Sequence, residues 1–262
     1  MLPPLPPPAG FDRSAAAGVS LDDLDMAAVE AFVARRAPRL HETTPLENLA
    51  ARIGLLAPQG KRLVPSVTGL LCFGTLPQLT RPEWGLAAVR VSGTAISDAL
   101  RQRDDFEGSI AQLLEQGLEF ARRHAGFLRD DVPEYPQVAV REALVNALVH
   151  RDYRLAGRVT LRIFDDRLEI WSPGAAVSQL PLENASRYGG VSLPRNPTIA
   201  ATARTLGLVE QIGRGLASIH ASMAELTSVA PMFASTQGDF LAVLPSPLAT
   251  TGAVARFADS GN

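Results

Sequence analysis

The sequence contains almost no cysteine and no segment apolar enough to cross a membrane. Cys72 is the single cysteine among 262 residues, which excludes an intrachain disulfide and a cysteine-based zinc site. The four histidines show no metal-ligand spacing. The first residues lack the charged and apolar regions of a signal peptide. We therefore expect a soluble, cytoplasmic protein with no membrane partner.

Lysine is nearly absent as well. Lys61 is the only lysine, so all the other basic residues counted among the 25 are arginines. The formal net charge of −2 excludes a global basic field that would draw the chain to nucleic acid or acidic membranes, but it leaves room for a local basic face. With 46% hydrophobic residues, the chain can build the core of one large domain or two small ones.

Changes in composition predict how the chain is divided. Residues 1–20 are rich in Pro, Ala and Gly and are predicted to be disordered. Residues 21–131 show helical and strand patterns and are predicted to form an α/β domain that ends at two prolines within 130–136. Residues 132–246 are predicted to form a second domain, and 247–262 a disordered tail.

The first predicted domain contains several recognisable patterns. Helices are predicted at 21–36, 46–56 and 106–124, and a strand is predicted at 84–93. The apolar segment 66–73 fits a short helix and a buried strand equally well, because periodicity does not separate the two at this length.

The second predicted domain opens with a helix that follows Pro136. It is apolar nearly all round, which is typical of a buried helix. Glu142, Asn146 and His150 recur along it at steps of four residues, so they form one narrow polar stripe. Burial of these three side chains without partners would be costly. The stripe therefore indicates that either other protein groups or a ligand meets them.

Beyond this helix the pattern predicts a hairpin that starts at Gly157, turns at Asp165-Asp166 and ends at Ser172-Pro173-Gly174. A long loop follows at 175–195, and loops of this length are often functional or disordered. Asn196-Pro197 predicts the start of a helix with Asn196 as its cap. A helix at 216–226 and a final strand at 240–244 complete the prediction.

A glycine-rich turn precedes the helix at 216–226. Its sequence is Gly213-Arg214-Gly215-Leu216, and glycines at a helix N-terminus let backbone N–H groups approach an anion. A simple turn explains the same pattern equally well. Arg195 and Arg214 are candidate phosphate ligands, although most arginines in a chain with so many are solvated.

The order of these motifs resembles the GHKL ATPase family, whose Bergerat fold is a two-layer sandwich of a mixed sheet and helices. In that family a helical Glu-x-x-x-Asn acts on the attacking water and holds Mg²⁺, and Glu142 and Asn146 match it. Gly213, Arg214, Gly215 and Leu216 match the glycine-rich turn. The resemblance implies an α/β (α+β) fold that binds ATP and Mg²⁺, with Glu142 as the catalytic residue and Asn146 as the metal ligand.

A closer resemblance is to the RecG-related C-terminal module (HATPase_c_4 type) of bacterial ATP-binding proteins that are similar to transcriptional regulators. It is carried by REALVNALVHRDY, IFDDRLEIWSPG and RNPTIAATARTLGLVEQIGRG. Such proteins commonly have an upstream Schlafen/AlbA-like domain for DNA binding, and residues 1–40 are too few for one. The resemblance also implies ATP-dependent homodimers. The usual adenine-binding Asp is Ser172 here, whereas the glycine that follows two positions later is kept as Gly174.

No helicase motor is predicted, because Arg62 follows Gly60-Lys61 where a G-x-x-x-x-G-K-[ST] loop needs Ser or Thr. Two hypotheses remain open. In the first, the module binds Mg-ATP and hydrolyses it slowly. In the second, a degenerate pocket serves a non-catalytic regulator that binds DNA or another partner. His150-Arg151-Asp152-Tyr153 is predicted to anchor the next loop, with His150 as a further candidate phosphate contact.

Overall fold

The computed structural model describes residues 10–129, 131–176, 194–209, 214–236 and 238–249. In these ranges the helices are α1 Met26–Arg36, α2 Pro38–His41, α3 Leu46–Ile53, α4 Val67–Phe73, α5 Ile110–His124, α6 Gln137–His150, α7 Pro197–Thr205 and α8 Gly215–Ala224. The strands are β1 Leu56–Gln59, β2 Arg62–Pro65, β3 Leu86–Ser92, β4 Ala99–Phe106, β5 Phe127–Arg129, β6 Val132–Pro133, β7 Val159–Ile163, β8 Arg167–Pro173, β9 Met232–Ser235 and β10 Asp239–Pro245.

A six-stranded sheet organises the fold, with strand order β4-β3-β7-β8-β10-β9. The β3–β7 pair is parallel, and the other four neighbouring pairs are antiparallel. Helices α5 and α6 pack on the sheet, and α8 packs on α6. Along β7, buried Val159, Leu161 and Ile163 alternate with partly exposed residues, so one face of the strand points into the helical layer. The mixed sheet with helices confirms the predicted α+β class.

The β3–β7 pair joins segments from both sides of the boundary predicted at 130–136. The described residues near that boundary form the small β5–β6 hairpin, in which Phe127 pairs with Pro133. The two segments thus share one sheet, and the division into two domains stays a prediction.

Residues 10–20 differ from the expectation of disorder, because they pack on the protein. Asp12 is 1% exposed, and its carboxylate accepts hydrogen bonds from the N–H groups of Thr198 at 2.6 Å and Ile199 at 3.3 Å. These are the free donors of the first turn of α7, so Asp12 caps that helix. The contact spans 186 residues of chain, which explains why local composition did not reveal it.

Asn196 occupies the N-cap position of α7 and Pro197 opens the helix, as predicted. Its side chain, however, makes no cap hydrogen bond. Its amide instead donates to the carbonyls of Val149 and Arg151, both at 2.8 Å. Asn196 thus ties the start of α7 to the end of α6.

Several predicted boundaries shift for identifiable reasons. The helix predicted at 46–56 ends at Ile53, because Gly54 adopts a left-handed φ of 99° and β1 begins at Leu56. The ambiguous segment 66–73 is the helix α4, capped by the Ser66 hydroxyl, which accepts from the Gly69 N–H at 2.9 Å. Strands β4 and β9 lie at the two sheet edges and were not predicted.

Helices α1 and α5 start later than the ranges 21–36 and 106–124 predicted for them. Asp25 caps α1, since its side chain accepts from the Ala28 N–H at 3.0 Å. Ser109 and Gln112 form a capping box at the start of α5. No helix within the described ranges is both long and apolar enough for a membrane crossing.

Candidate functional site

Helix α6 carries the polar stripe, which consists of Glu142, Asn146 and His150. Pro136 stands at the N-cap position, and nine of the helix residues are buried, including Glu142, so the helix runs through the core as predicted. Glu142 is 6% exposed, whereas Asn146 and His150 are partly exposed. A buried carboxylate thus lies on the same helix face as two partly accessible polar groups.

The start of α8 lies directly against the stripe. A Cβ atom added to Gly215 would lie 2.8 Å from Oε2 of Glu142 and 2.9 Å from Nδ2 of Asn146. Only a glycine lets the backbone approach both side chains this closely. Since α8 begins at Gly215, the positive end of the helix dipole faces the Glu142 carboxylate. The start of α8 is therefore the protein group that meets the stripe.

Asn146 and His150 retain hydrogen-bonding capacity. Neither the Asn146 amide nor the His150 imidazole makes a side-chain hydrogen bond to another described residue. Burial, together with the Arg195 guanidinium, lowers the pKa of His150 to about 4. The imidazole is therefore neutral at pH 7 and can either donate or accept a hydrogen bond.

The structure brings together three of the predicted site residues, Glu142, Asn146 and Gly215. Leu216 is partly buried and packs against the hydrophobic core. Arg214 is the exposed cap residue of α8. Gly213 and most of the loop predicted at 175–195 lie outside the described residues.

Arg195 lies beyond the end of the stripe, and its guanidinium group donates hydrogen bonds to other protein groups. Its side chain is 8% exposed. It donates to the His150 carbonyl at 3.2 Å, to the Asp152 carboxylate at 3.2 Å and to the Ala175 carbonyl. Burial lowers the pKa of Arg195, and the Asp152 charge opposes that shift. Arg195 therefore joins α6 to the chain after β8, and its phosphate contact stays a prediction.

Ser172 and Gly174 also make close contacts within the protein. Ser172 is 3% exposed, and its hydroxyl donates to the Ala147 carbonyl of α6 at 3.0 Å. Gly174 has a φ of 106°, and a Cβ atom there would lie 2.8 Å from Cβ of Asp152. Both residues fix the end of β8 against α6. The predicted adenine contact of Ser172 is untested by this geometry.

Asp152 organises these contacts, although the sequence reasoning did not single it out as a site residue. It is 5% exposed and receives hydrogen bonds from Arg154 at 2.6 and 2.9 Å in addition to that from Arg195. Burial raises the pKa of Asp152, but the hydrogen bonds from Arg154 and the charges of Arg154 and Arg195 together bring the pKa below its usual value. We call Asp152, Ser172, Gly174, Arg195 and Asn196 the anchor cluster. Its signal in the sequence was the run of polar residues directly after the apolar α6.

Arg151 supports the same corner of the fold. It is 1% exposed, donates to the carbonyls of Glu83, Leu155 and Gly157, and lies over the ring of Tyr153. The Tyr153 hydroxyl in turn donates to the Leu148 carbonyl at 2.6 Å. The contacts of Arg151, Asp152 and Tyr153 agree with the predicted anchoring role of this run.

The chemistry of the stripe suits a hydrated divalent cation with an anionic ligand. No group of three or more His, Cys, Asp and Glu residues that could hold a metal occurs among the described residues. A carboxylate and an amide at one point are therefore too few for an all-protein metal cage. They match Mg²⁺, which is usually bound by one or two protein oxygens plus water and substrate phosphates.

A groove elsewhere in the protein does not belong to this site. This groove of about 820 Å³ runs between α5, the start of α6 and the β5–β6 hairpin. None of the stripe or anchor-cluster residues lines it. The predicted site residues thus gather at α6 and α8, away from this groove.

Comparison with known proteins shows a similarity over part of the chain. Residues 157–244 match the family model described as "Putative ATP-dependent DNA helicase recG C-terminal". The match covers β7, β8, α7, α8, β9 and all but the last residue of β10, but not α6, which carries the stripe. No curated protein gives a significant sequence match.

A solved structure shares the fold. The DIP2311 protein from Corynebacterium diphtheriae superposes with a TM-score of 0.62 at 23% sequence identity, over 90% of this chain and 40% of that chain. The chain therefore spans less than half the length of that protein. Residues 157–244 are thus similar to the RecG C-terminal family, and the solved structure shares the fold of the chain.

Proposed function

We propose that the chain is an ATP-binding module of the GHKL type, in which the polar stripe and the start of α8 hold Mg-ATP and support slow hydrolysis. The contact of Gly215 with Glu142 and Asn146 carries this proposal. The match of residues 157–244 to a family described as ATP-dependent supports it.

The residues at this contact have the donors and acceptors that Mg-ATP needs. The Asn146 amide oxygen is a hard ligand suited to Mg²⁺, and Glu142 is placed to orient or deprotonate a water molecule. The free N–H groups at the start of α8 suit phosphate oxygens, since a glycine there leaves room for close approach. Bound Mg²⁺ would supply charge neutralisation on the phosphates.

Ligand binding has a structural consequence at α8. Gly215 touches both side chains, so no Mg²⁺ ion with its ligands fits between them in the observed arrangement. The first turn of α8 must therefore move when the ligand enters. We expect the amide hydrogens of this turn to change their exchange rate when Mg-ATP binds, whereas those of α5 keep theirs.

A specific observation favours the alternative of a non-catalytic nucleotide sensor. Ser172 offers a neutral hydroxyl where the GHKL pattern has a carboxylate for adenine, and this hydroxyl already donates to the Ala147 carbonyl. A neutral acceptor forms a weaker hydrogen bond than a charged one. Affinity for the base would then be low, and binding rather than turnover would be the function.

Two measurements on the same samples test the proposal. Equilibrium binding of ATP is measured with and without Mg²⁺ for the wild type, and phosphate release is measured for the wild type, Glu142→Gln and Glu115→Gln. Glu115 is an exposed residue of α5 and provides the matched control. We expect Mg²⁺-dependent binding and a loss of phosphate release in Glu142→Gln alone. Absence of ATP binding at millimolar concentration overturns the proposal, and binding without turnover in the wild type favours the sensor.

A further inference from the structure

The N-terminal helices form a small unit that the proposed function does not use. Helices α1, α2 and α3 contact one another, and α3 leads through Gly54 into the β1–β2 hairpin. Four residues, 42–45, separate α2 from α3. Two short helices joined by a tight turn and followed by a hairpin have the order of a helix-turn-helix with an adjoining β-ribbon, and both elements fit a DNA groove.

This unit carries a local positive charge. From Met26 to Pro65 this unit has six Lys or Arg residues and three acidic ones, Glu30, Glu42 and Glu47, which gives a formal charge of +3 in a chain whose total is −2. All six basic side chains are exposed. They lie at the end of α1, on α2, in the last turn of α3 and at the hairpin turn: Arg35, Arg36, Arg39, Arg52, Lys61 and Arg62.

These six cations have no charged partner among the described residues. None of the six makes an ion pair or a side-chain hydrogen bond with a described residue. By contrast, paired arginines occur throughout the rest of the fold: Arg90, Arg103, Arg122, Arg123, Arg154, Arg158, Arg162, Arg167 and Arg195. Exposed arginines without an ion pair to a described residue also occur elsewhere, at Arg101, Arg204 and Arg214, but this unit combines six such cations within one short segment of the chain.

The β1–β2 turn carries two of the six cations, Lys61 and Arg62. Gln59 pairs with Arg62, so Gly60 and Lys61 form a two-residue turn, in which Gly60 has a φ of 63°. The short turn holds Lys61 and Arg62 together at the tip of a rigid ribbon. Two adjacent cations on a rigid tip suit the evenly spaced phosphates of a nucleic-acid backbone.

We propose that α1–α3 and the β1–β2 hairpin bind duplex DNA through its phosphate backbone. The hairpin tip and the α1–α2 corner supply the cations, and α3 contacts α1, α2 and β1. Asn48 is exposed in the first turn of α3 and is the side chain placed to read a base edge. Binding is chiefly electrostatic and is independent of the polar stripe, to which none of these residues belongs.

Fluorescence anisotropy with a labelled duplex of roughly 20–30 base pairs tests this proposal over a salt series from about 50 to 200 mM. The test variant combines Arg36→Gln, Arg39→Gln, Lys61→Gln and Arg62→Gln. The control combines Arg101→Gln, Arg103→Gln, Arg122→Gln and Arg123→Gln, which removes the same charge from exposed positions on β4 and α5. Circular dichroism confirms that each variant is folded, as expected for exposed positions.

We expect the wild type to bind with a steep salt dependence and the control to bind within about twofold of it. The test variant should lose affinity by about tenfold or more at low salt, with a salt slope smaller by up to about 4. The proposal is overturned if the wild type does not bind the duplex, if the control loses as much affinity as the test variant, or if an acidic polypeptide binds more tightly than DNA. ATP binding is measured separately, so failure here leaves the nucleotide proposal unaffected.

Discussion

The polar stripe lies on α6 and the anchor cluster lies against the end of the same helix, yet the two regions use their polar groups differently. In the anchor cluster, donors and acceptors are matched inside the protein. Arg195 donates hydrogen bonds to the Asp152 carboxylate and to two backbone carbonyls, and the Ser172 hydroxyl donates to the Ala147 carbonyl. In the stripe, the Asn146 amide makes no hydrogen bond with a described residue and faces the start of α8.

This difference separates residues whose polar groups hold the fold together from residues that we propose to bind a ligand. A buried polar group whose partners are all internal contributes to stability, and its removal leaves those partners unpaired. A partly exposed polar group beside a helix N-terminus has capacity left for a ligand. Substitutions in the anchor cluster should therefore lower stability, and substitutions in the stripe should lower ligand binding.

The largest loss of stability is expected for Gly174→Ala. The residue has a φ of 106°, and the added Cβ would lie 2.8 Å from Cβ of Asp152, so backbone strain and a clash act together. We expect a loss of about 4 kcal/mol in the free energy of unfolding, measured by denaturant titration. Gly207→Ala is the control, because Gly207 has a φ of 77° with open space around it. Equal losses in both variants would show that Gly174 packing is unimportant.

A somewhat smaller loss is expected for Asp152→Ala. It leaves the buried Arg195 guanidinium without its carboxylate, at a cost of about 3 kcal/mol. The native pKa of Asp152 is lowered, so this stabilisation is complete above the unfolded-state pKa of about 4 and is lost as the pH falls through the native value. Asp131→Ala, at an exposed position, should be nearly neutral. Unchanged stability of Asp152→Ala at pH 7 would contradict the anchor role.

His150 should make the stability depend on pH. Its native pKa of about 4 lies below the ordinary 6.5, so the unfolded chain binds more protons between these values. The stabilisation is therefore complete above about pH 6.5 and falls by about 2 kcal/mol as the pH drops towards 4. Chemical denaturation across this range should show a shallower pH slope for His150→Gln than for the wild type. His41→Gln is the matched control, and equal slopes in His150→Gln and wild type would contradict the lowered native pKa of His150.

The smallest effect is expected for Ser172→Ala. Loss of its hydrogen bond to the Ala147 carbonyl should cost about 1 kcal/mol, because that carbonyl also accepts from the Arg151 N–H within the helix. ATP affinity of this variant sharpens the comparison. If it falls more than tenfold while stability changes little, Ser172 belongs with the ligand-facing residues and not with the anchor cluster.

Local pattern was sufficient for the elements whose faces repeat regularly. The stripe on α6, the alternation of β7 and the hairpin to β8 were all readable from spacing alone. The glycine start of α8 and its approach to Glu142 followed only from the family resemblance, since spacing does not show which helix meets the stripe.

Long-range contacts account for what the sequence did not reveal. Asp12 caps α7 across 186 residues of chain, so its segment looked unpacked. Edge strand β4 carries charged residues on both faces and lacks a clean alternation, and its place in the sheet comes from pairing with β3. Asp152 looked like one polar residue among several, because its two arginine partners are identified only by the fold.

The most direct test of the two roles is one experiment, in which Mg-ATP is titrated while the thermal unfolding midpoint is followed in Asn146→Ala, Asp152→Ala and the exposed control Asn48→Ala. Ligand at about 100 times its Kd should stabilise a binding-competent protein by about 2.7 kcal/mol. We predict that Asn146→Ala keeps the wild-type unfolding midpoint but loses the shift that Mg-ATP produces. Asp152→Ala should start from a lower midpoint but keep the shift. Asn48→Ala should behave as the wild type in both respects. A full Mg-ATP shift in Asn146→Ala, or none in the wild type, would contradict the assignment of the stripe to the nucleotide.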